Sequence, residues 1–183
     1  MKFYSLVLIT IWTSVVFGQK TDEMTTTQTI GFELDMLPFI SGGYYGSVWY
    51  GFDNFRLREV IAKTTVPEFM LDKGFKDNEL MVYAVIADYF FEKNFKGFWI
   101  AAGMEYWDSE IAHETETQIT IYSNTVFTAG GGYVWKFYEN FYLNPWAAFH
   151  VIVAGDKDIK VGNHIFNPAV FTPEISLKIG WHF

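Results

Sequence analysis

The 183-residue sequence contains no cysteine, which excludes a disulfide framework and every thiolate metal site. Proline is scarce, at 5 residues, so few positions are barred from pairing in a sheet. Basic residues are outnumbered: 13 Lys and Arg stand against 21 Asp and Glu, a formal net charge of -8. That balance excludes nucleic acid as a partner, because phosphate binding needs a basic face. Long hydrophobic runs are missing too, since no stretch after the amino end reaches the ~18 apolar residues of a spanning helix. If the chain crosses a membrane, it does so with strands closed into a barrel, where every backbone group is paired.

What is abundant points the same way. Phe, Tyr and Trp make up 20% of the chain, and 15 Gly accompany them, a mixture that suits packed strands better than helices. At the amino end, Lys2 precedes an apolar run over 6–16, and Val16-Phe17-Gly18 offers a small residue before a cut at Gln19. This predicts a signal peptide over 1–18 and an exported chain. Residues 19–29 are polar and Thr-rich without periodicity, which predicts a flexible periplasmic lead-in. The remainder, 30–183, reads as one domain.

Within that domain, apolar and polar residues alternate with the period of a strand. The pattern predicts strands over 30–40, 44–52, 55–65, 79–91, 97–107, 119–137, 141–153 and 172–183. In the third, Glu59 falls on the apolar face, so a bulge near Arg58-Glu59 is expected to restore the parity. The fourth has an unusually apolar second face, Leu80, Val82, Ala84 and Ile86. Short turns at 53–54, 92–96 and 138–140 alternate with a Gly turn after 40 and longer loops over 66–78, 108–117 and 155–171.

The final stretch places Ile175, Leu177, Ile179, Trp181 and Phe183 on one face, with Ser176, Lys178, Gly180 and His182 on the other. Alternation ending in a terminal Phe resembles the closing strand of outer-membrane β-barrels. The pattern over 30–183 resembles the small OmpA-type barrels as a whole. The resemblance implies an all-β fold, an eight-stranded antiparallel up-and-down transmembrane β-barrel in the outer membrane of a Gram-negative bacterium. Both termini would be periplasmic, outer-membrane lipids would surround an aromatic girdle, and Trp181 and Phe183 would form the signal read by the barrel-assembly machinery. It implies a fold and no activity.

An eight-stranded barrel is about filled by its own side chains, so inward charges must pair. Counting from the short-turn ends predicts two lumen ion pairs, Arg58 with Asp88 and Glu33 with Lys178. Higher up, His150, Glu174 and Glu105 come level as a candidate lumen cluster. A carboxylate beside an imidazole suits a general base or a weak metal site, but the expectation is an ion-paired interior histidine. No catalytic residue, metal site or cofactor is assigned.

Lipid-modifying outer-membrane enzymes also use eight strands. The deacylase signature His-x-Ser-Asn is absent, since Ile121-Tyr122 precedes Ser123-Asn124. The palmitoyltransferase type would need His113, Asp108 and Ser109 to act together in an outer loop. A porin-like channel would need a polar path past the inward Trp49, Trp99, Trp107 and Trp146. The expected function is therefore non-enzymatic, with external loops that bind a ligand or join an envelope protein partner.

Overall fold

The computed structural model describes residues 28–40 and 42–183 and turns this alternation into a ring. Its strands are β1 (Gln28–Asp35), β2 (Tyr44–Phe52), β3 (Phe55–Thr65), β4 (Phe75–Phe90), β5 (Gly97–His113), β6 (Thr120–Tyr138), β7 (Phe141–Gly155), the short β8 (Ile159–Val161) and β9 (His164–Phe166), and β10 (Phe171–His182). The eight long strands pair antiparallel around the ring, and β1 bonds to both β2 and β10. The fold class is therefore all-β, an eight-stranded up-and-down barrel.

Several boundaries differ from expectation. Residues 1–27, which hold the whole expected signal peptide and most of the lead-in, lie outside the described residues, but β1 already begins at Gln28. It ends at Asp35, not near Ile40, because α1 (Met36–Ile40) follows. The cause is local: Pro38 lacks the N–H a central strand needs, while Asp35 accepts a hydrogen bond from the Leu37 N–H at 3.0 Å, the capping contact that starts a helix. The loop expected over 108–117 is shorter, since β5 runs to His113. The one expected over 155–171 contains the hairpin β8–β9.

The expected bulge at Arg58-Glu59 is also absent. β3 runs in unbroken register with β2 and β4 from Phe55 to Lys63. A bulge there would have turned Arg56 or Arg58 out of the lumen, and both stay inside, fully buried. Glu59 is left on the outer wall, opposite Val48 and Val85.

Outward residues form an apolar belt with aromatics concentrated near the short-turn end, among them Phe52, Phe55, Tyr89, Phe98, Tyr133, Trp135 and Phe141. The inside is divided. One buried cluster, including Trp49, Phe90, Phe95, Trp99, Tyr142 and Trp146, fills the lumen toward the short turns. A second, Phe75, Ile111, Tyr122, Ile159, Val161 and Phe166, joins the long ends of β4, β5 and β6 to the hairpin.

Two glycines on neighbouring strands separate packing inside from space outside. A Cβ on Gly31 would come within 2.6 Å of the Trp49 ring, whereas one on Gly46 would meet nothing within 4 Å. Gly31→Val should therefore cost about 1–3 kcal/mol by overpacking, and Gly46→Val should stay within ~0.5 kcal/mol of the parent. Urea unfolding of the refolded protein in lipid vesicles measures both.

Candidate functional site

The strand period sets two β3 residues, Arg56 and Arg58, side by side on the inner wall, and the β3–β4 register brings Asp88 opposite Arg56. Arg56 Nε lies 2.5 Å from Asp88 Oδ2, and Arg58 Nη2 lies 2.8 Å from Asp88 Oδ1. Across the lumen, Glu33 of β1 takes Arg56 Nη1 at 2.8 Å and has Arg58 Nη1 at 3.6 Å. It also accepts from the Tyr142 hydroxyl at 3.1 Å and the Asn144 amide at 2.9 Å. Aromatic faces supply the rest of the solvation. Arg56 lies over Trp49, Phe90 and Trp99, and Arg58 over Trp99 and Trp146, at 5.0–5.4 Å from the ring centroids.

This plug corrects the second expected pair. Glu33 belongs to the two arginines, and Lys178 points its ammonium at the rings of Tyr45 and Trp146, 4.9 and 4.4 Å away. In the β1–β10 register Lys178 stands opposite Asp35, and Glu33 opposite Gly180. Strands in a barrel are staggered, so equal counts from the turns are not equal heights. Arg56 was visible from its parity with Arg58. Phe95 carried no signal: it sits in a turn at φ +52°, uncommon for a bulky residue, and tucks its ring, 2% exposed, beneath Trp49 and Phe90.

Above the plug, the structure brings His150, Glu174 and Glu105 together. His150 Nε2 lies 2.8 Å from Glu174 Oε2, and Nδ1 lies 3.3 Å from Glu105 Oε1. Trp146 donates its indole N–H to Glu174 at 3.0 Å, and Trp107 donates to Glu105 at 2.6 Å. His150 Nε2 shares a hydrogen bond with Glu174, whereas Nδ1 stands only at ion-pair distance from Glu105 and has no hydrogen-bond partner. Among the described residues no group of three or more His, Asp or Glu side chains is arranged to hold a metal ion.

These groups form one wall of a cavity of about 530 Å³. The neighbouring wall, which begins at Ala84 beside Glu105, is apolar: Val60 and Ala62 from β3, with Leu80, Val82, Ala84 and Ile86 from β4. Buried polar atoms with no hydrogen-bond partner lie on residues that line it, namely Tyr45 Oη, Asn124 Oδ1, Ser176 Oγ and His150 Nδ1. Residues of α1 and of the 66–72 segment form part of the lining toward the long loops.

The residues of a loop-borne acyltransferase do not converge. Asp108 is exposed and Ser109 buried on opposite faces of β5. His113 instead has Nδ1 2.9 Å from the Thr115 hydroxyl, and its ring stacks on His164 with centroids 3.5 Å apart. Trp181 and Phe183 meet edge to face at 4.1 Å, and the Phe183 N–H bonds the Ile30 carbonyl at 2.9 Å, which seats the last residue against β1.

The ring of eight long antiparallel strands defines the class by its fold, an eight-stranded up-and-down β-barrel. Among solved structures the chain is similar to the N-terminal β-barrel domain of OprF from Pseudomonas aeruginosa. The likeness has a TM-score of 0.58 at 14% identity and covers 86% of this chain and 99% of that one. It concerns the fold alone. No family model matches the sequence, and neither does any curated protein.

The plug generates a stability prediction. Asp88→Ala removes the carboxylate that both guanidiniums share and leaves them buried, so unfolding free energy should fall by about 3–5 kcal/mol. Lys63→Ala breaks the half-exposed pair with Glu79, 2.7 Å long, and should leave the unfolding midpoint almost unchanged, because solvent screens such a pair. Equilibrium urea titration of both variants beside the parent checks the contrast.

Proposed function

We propose that this is a non-enzymatic, non-conducting outer-membrane barrel that binds a small amphipathic molecule in the outward half of its lumen. The observation that carries the reading is the apolar wall of β3 and β4 beside His150, Glu174 and Glu105 above a lumen already filled by arginines and tryptophans. Interiors of membrane barrels are ordinarily polar. Six aliphatic side chains on an inner wall gain nothing from water and gain a contact surface from an apolar body.

The outside of the ring supports the location. Tyr, Phe and Trp near the short turns and an apolar band above them suit lipid, and lipid offers no better use for so many exposed aromatics. The likeness to the OprF barrel supports the same membrane. Short turns at Asp53-Asn54, 91–96 and Glu139-Asn140 then face the periplasm, as do the strand ends at Gln28 and His182, and the long loops face outward. The barrel-assembly machinery and outer-membrane lipids are the partners this location entails. Catalysis is disfavoured because His150 is buried, bonded through Nε2 to Glu174 and held within ion-pair distance of Glu105. Conduction is disfavoured by the stacked Trp99 and Trp146, 5.3 Å apart, over the arginines.

The test uses the refolded barrel in nanodiscs and the soluble probe 2-naphthylmethylamine. The indole N–H resonances of Trp107 and Trp146 should shift saturably, those of the outer Trp135 should not, and Ala84→Trp, which fills the cavity, should weaken binding at least tenfold. In planar bilayers the same protein should give no steady conductance. Unshifted Trp107 and Trp146 resonances, or a stable open level, would refute the reading.

A further inference from the structure

The outer wall carries one feature that neither the fold nor the lumen accounts for. Glu59 points outward from β3 with Val48 and Val85 beside it on the flanking strands. It lies four residues from Phe55 at the short-turn girdle and four from Lys63, where the polar margin begins with the Lys63–Glu79 pair. At ~3.3 Å per residue on a tilted strand, either edge of the belt is on the order of 10 Å away, beyond the reach of a glutamate. No hydrogen bond or ion pair reaches its carboxylate from any described residue.

Next to it the wall is recessed. Gly46 stands on the outer face of β2, opposite Ile61, and a side chain there would touch nothing within 4 Å. Phe32, Leu34, Val48 and Ile61 surround the resulting notch, and Glu59 lies at its side. An ionisable group within the hydrocarbon depth is costly unless it has a partner. Acyl chains bring no donor to that depth, and neither water nor a lipid head group reaches it. The missing partner is therefore a protein side chain carried by something that itself lies in the membrane.

On the reading that this barrel spans the outer membrane, we propose that the Glu59–Gly46 notch docks a membrane-embedded segment of a second protein, which inserts a Lys or Arg beside the Glu59 carboxylate. Charge complementarity selects a different chain over a second copy. Among the described residues the one lysine or arginine at the belt's outward edge is Lys63, and Glu79 already holds it at 2.7 Å. The apolar rim supplies contact area, the glycine lets the partner's backbone approach, and the carboxylate fixes register. This division between packing and a single desolvated charge is how a membrane interface gains specificity without a hydrophobic driving force.

The experiment places the photocrosslinker p-benzoylphenylalanine at Val48, beside Glu59, in the cells that make the protein. The same crosslinker at Ala147, on the far side of the ring, is the control. Val48 should give one discrete protein adduct and Ala147 should not. Mass spectrometry of the adduct should map the crosslink to a membrane-embedded segment containing Lys or Arg. Glu59→Gln keeps the shape and removes the charge, and Glu59→Leu removes both; each should lower the adduct at least tenfold while the barrel's abundance is unchanged. An adduct with a second copy, lipid adducts alone, no adduct, equal adducts from Ala147, or an adduct indifferent to Glu59→Gln each overturns the proposal. Recovery of the barrel outside the washed membrane fraction would instead overturn the location on which it rests.

Discussion

Four buried charges, Glu33, Asp88, Arg56 and Arg58, constrain everything else in this barrel. Each is at most 1% exposed, and removing such groups from water costs more than any surface pair returns. Offsetting that cost demands that each guanidinium meet a carboxylate and a ring, and both do, although Glu33 Oε2, Arg56 Nη2 and Arg58 Nη1 make no hydrogen bond. That demand fixes the stagger of β1, β3 and β4, because one register alone brings Glu33 to Arg56 while keeping Arg56 level with Asp88. It also explains the choice of rings. Trp49, Trp99 and Trp146 offer flat faces to cations and an N–H for Tyr142, Asn144 and Glu174 respectively.

Once the half of the lumen near the short turns is filled in this way, the other half follows a different rule. Small side chains, Ala62 and Ala84, stand on the inner wall of β3 and β4, and the volume they leave is part of the cavity. His150 holds β5, β7 and β10 together across it through Glu105 and Glu174. The extended ends of β4, β5 and β6, with the β8–β9 hairpin, supply a separate apolar cluster above. The plug lies below the cavity and the packed cluster above it.

The ring itself was legible in the sequence because strand parity is a local property. A period of two survives any error of one or two residues in a boundary, so strands ending at Asp35 in place of Ile40, or at His113 in place of Trp107, leave the inward and outward sets unchanged. Pairing between distant strands is not local. Arg58 and Asp88 could be matched because β3 and β4 share a turn-end neighbour and their offset is small. Glu33 and Lys178 lie on strands whose relative height depends on the stagger accumulated around the ring, which no residue count reveals. The His150, Glu174 and Glu105 group came together because all three sit high on β5, β7 and β10, where adjacency around the lumen tolerates a residue of slip. The hairpin and Phe95 left no trace, since three-residue strands have too few alternations to detect and an aromatic in a turn reads as surface.

A barrel of this kind needs an apolar outside and a satisfied polar inside, and most of this chain obeys. It departs from the rule twice and in opposite senses. β4 presents Leu80, Val82, Ala84 and Ile86 to the lumen, and β3 presents Glu59 to the belt. The belt would be more stable with an aliphatic residue in place of Glu59. Both departures occur on adjacent strands whose register is otherwise unbroken from Phe55 to Lys63, so neither is a by-product of a bulge or a shifted pairing. A sequence that gives up local consistency at two neighbouring places, one facing in and one facing out, has been shaped there by something other than the fold. The two proposed binding sites therefore share the β3–β4 face of the ring, the cavity on its inner side and the notch on its outer side.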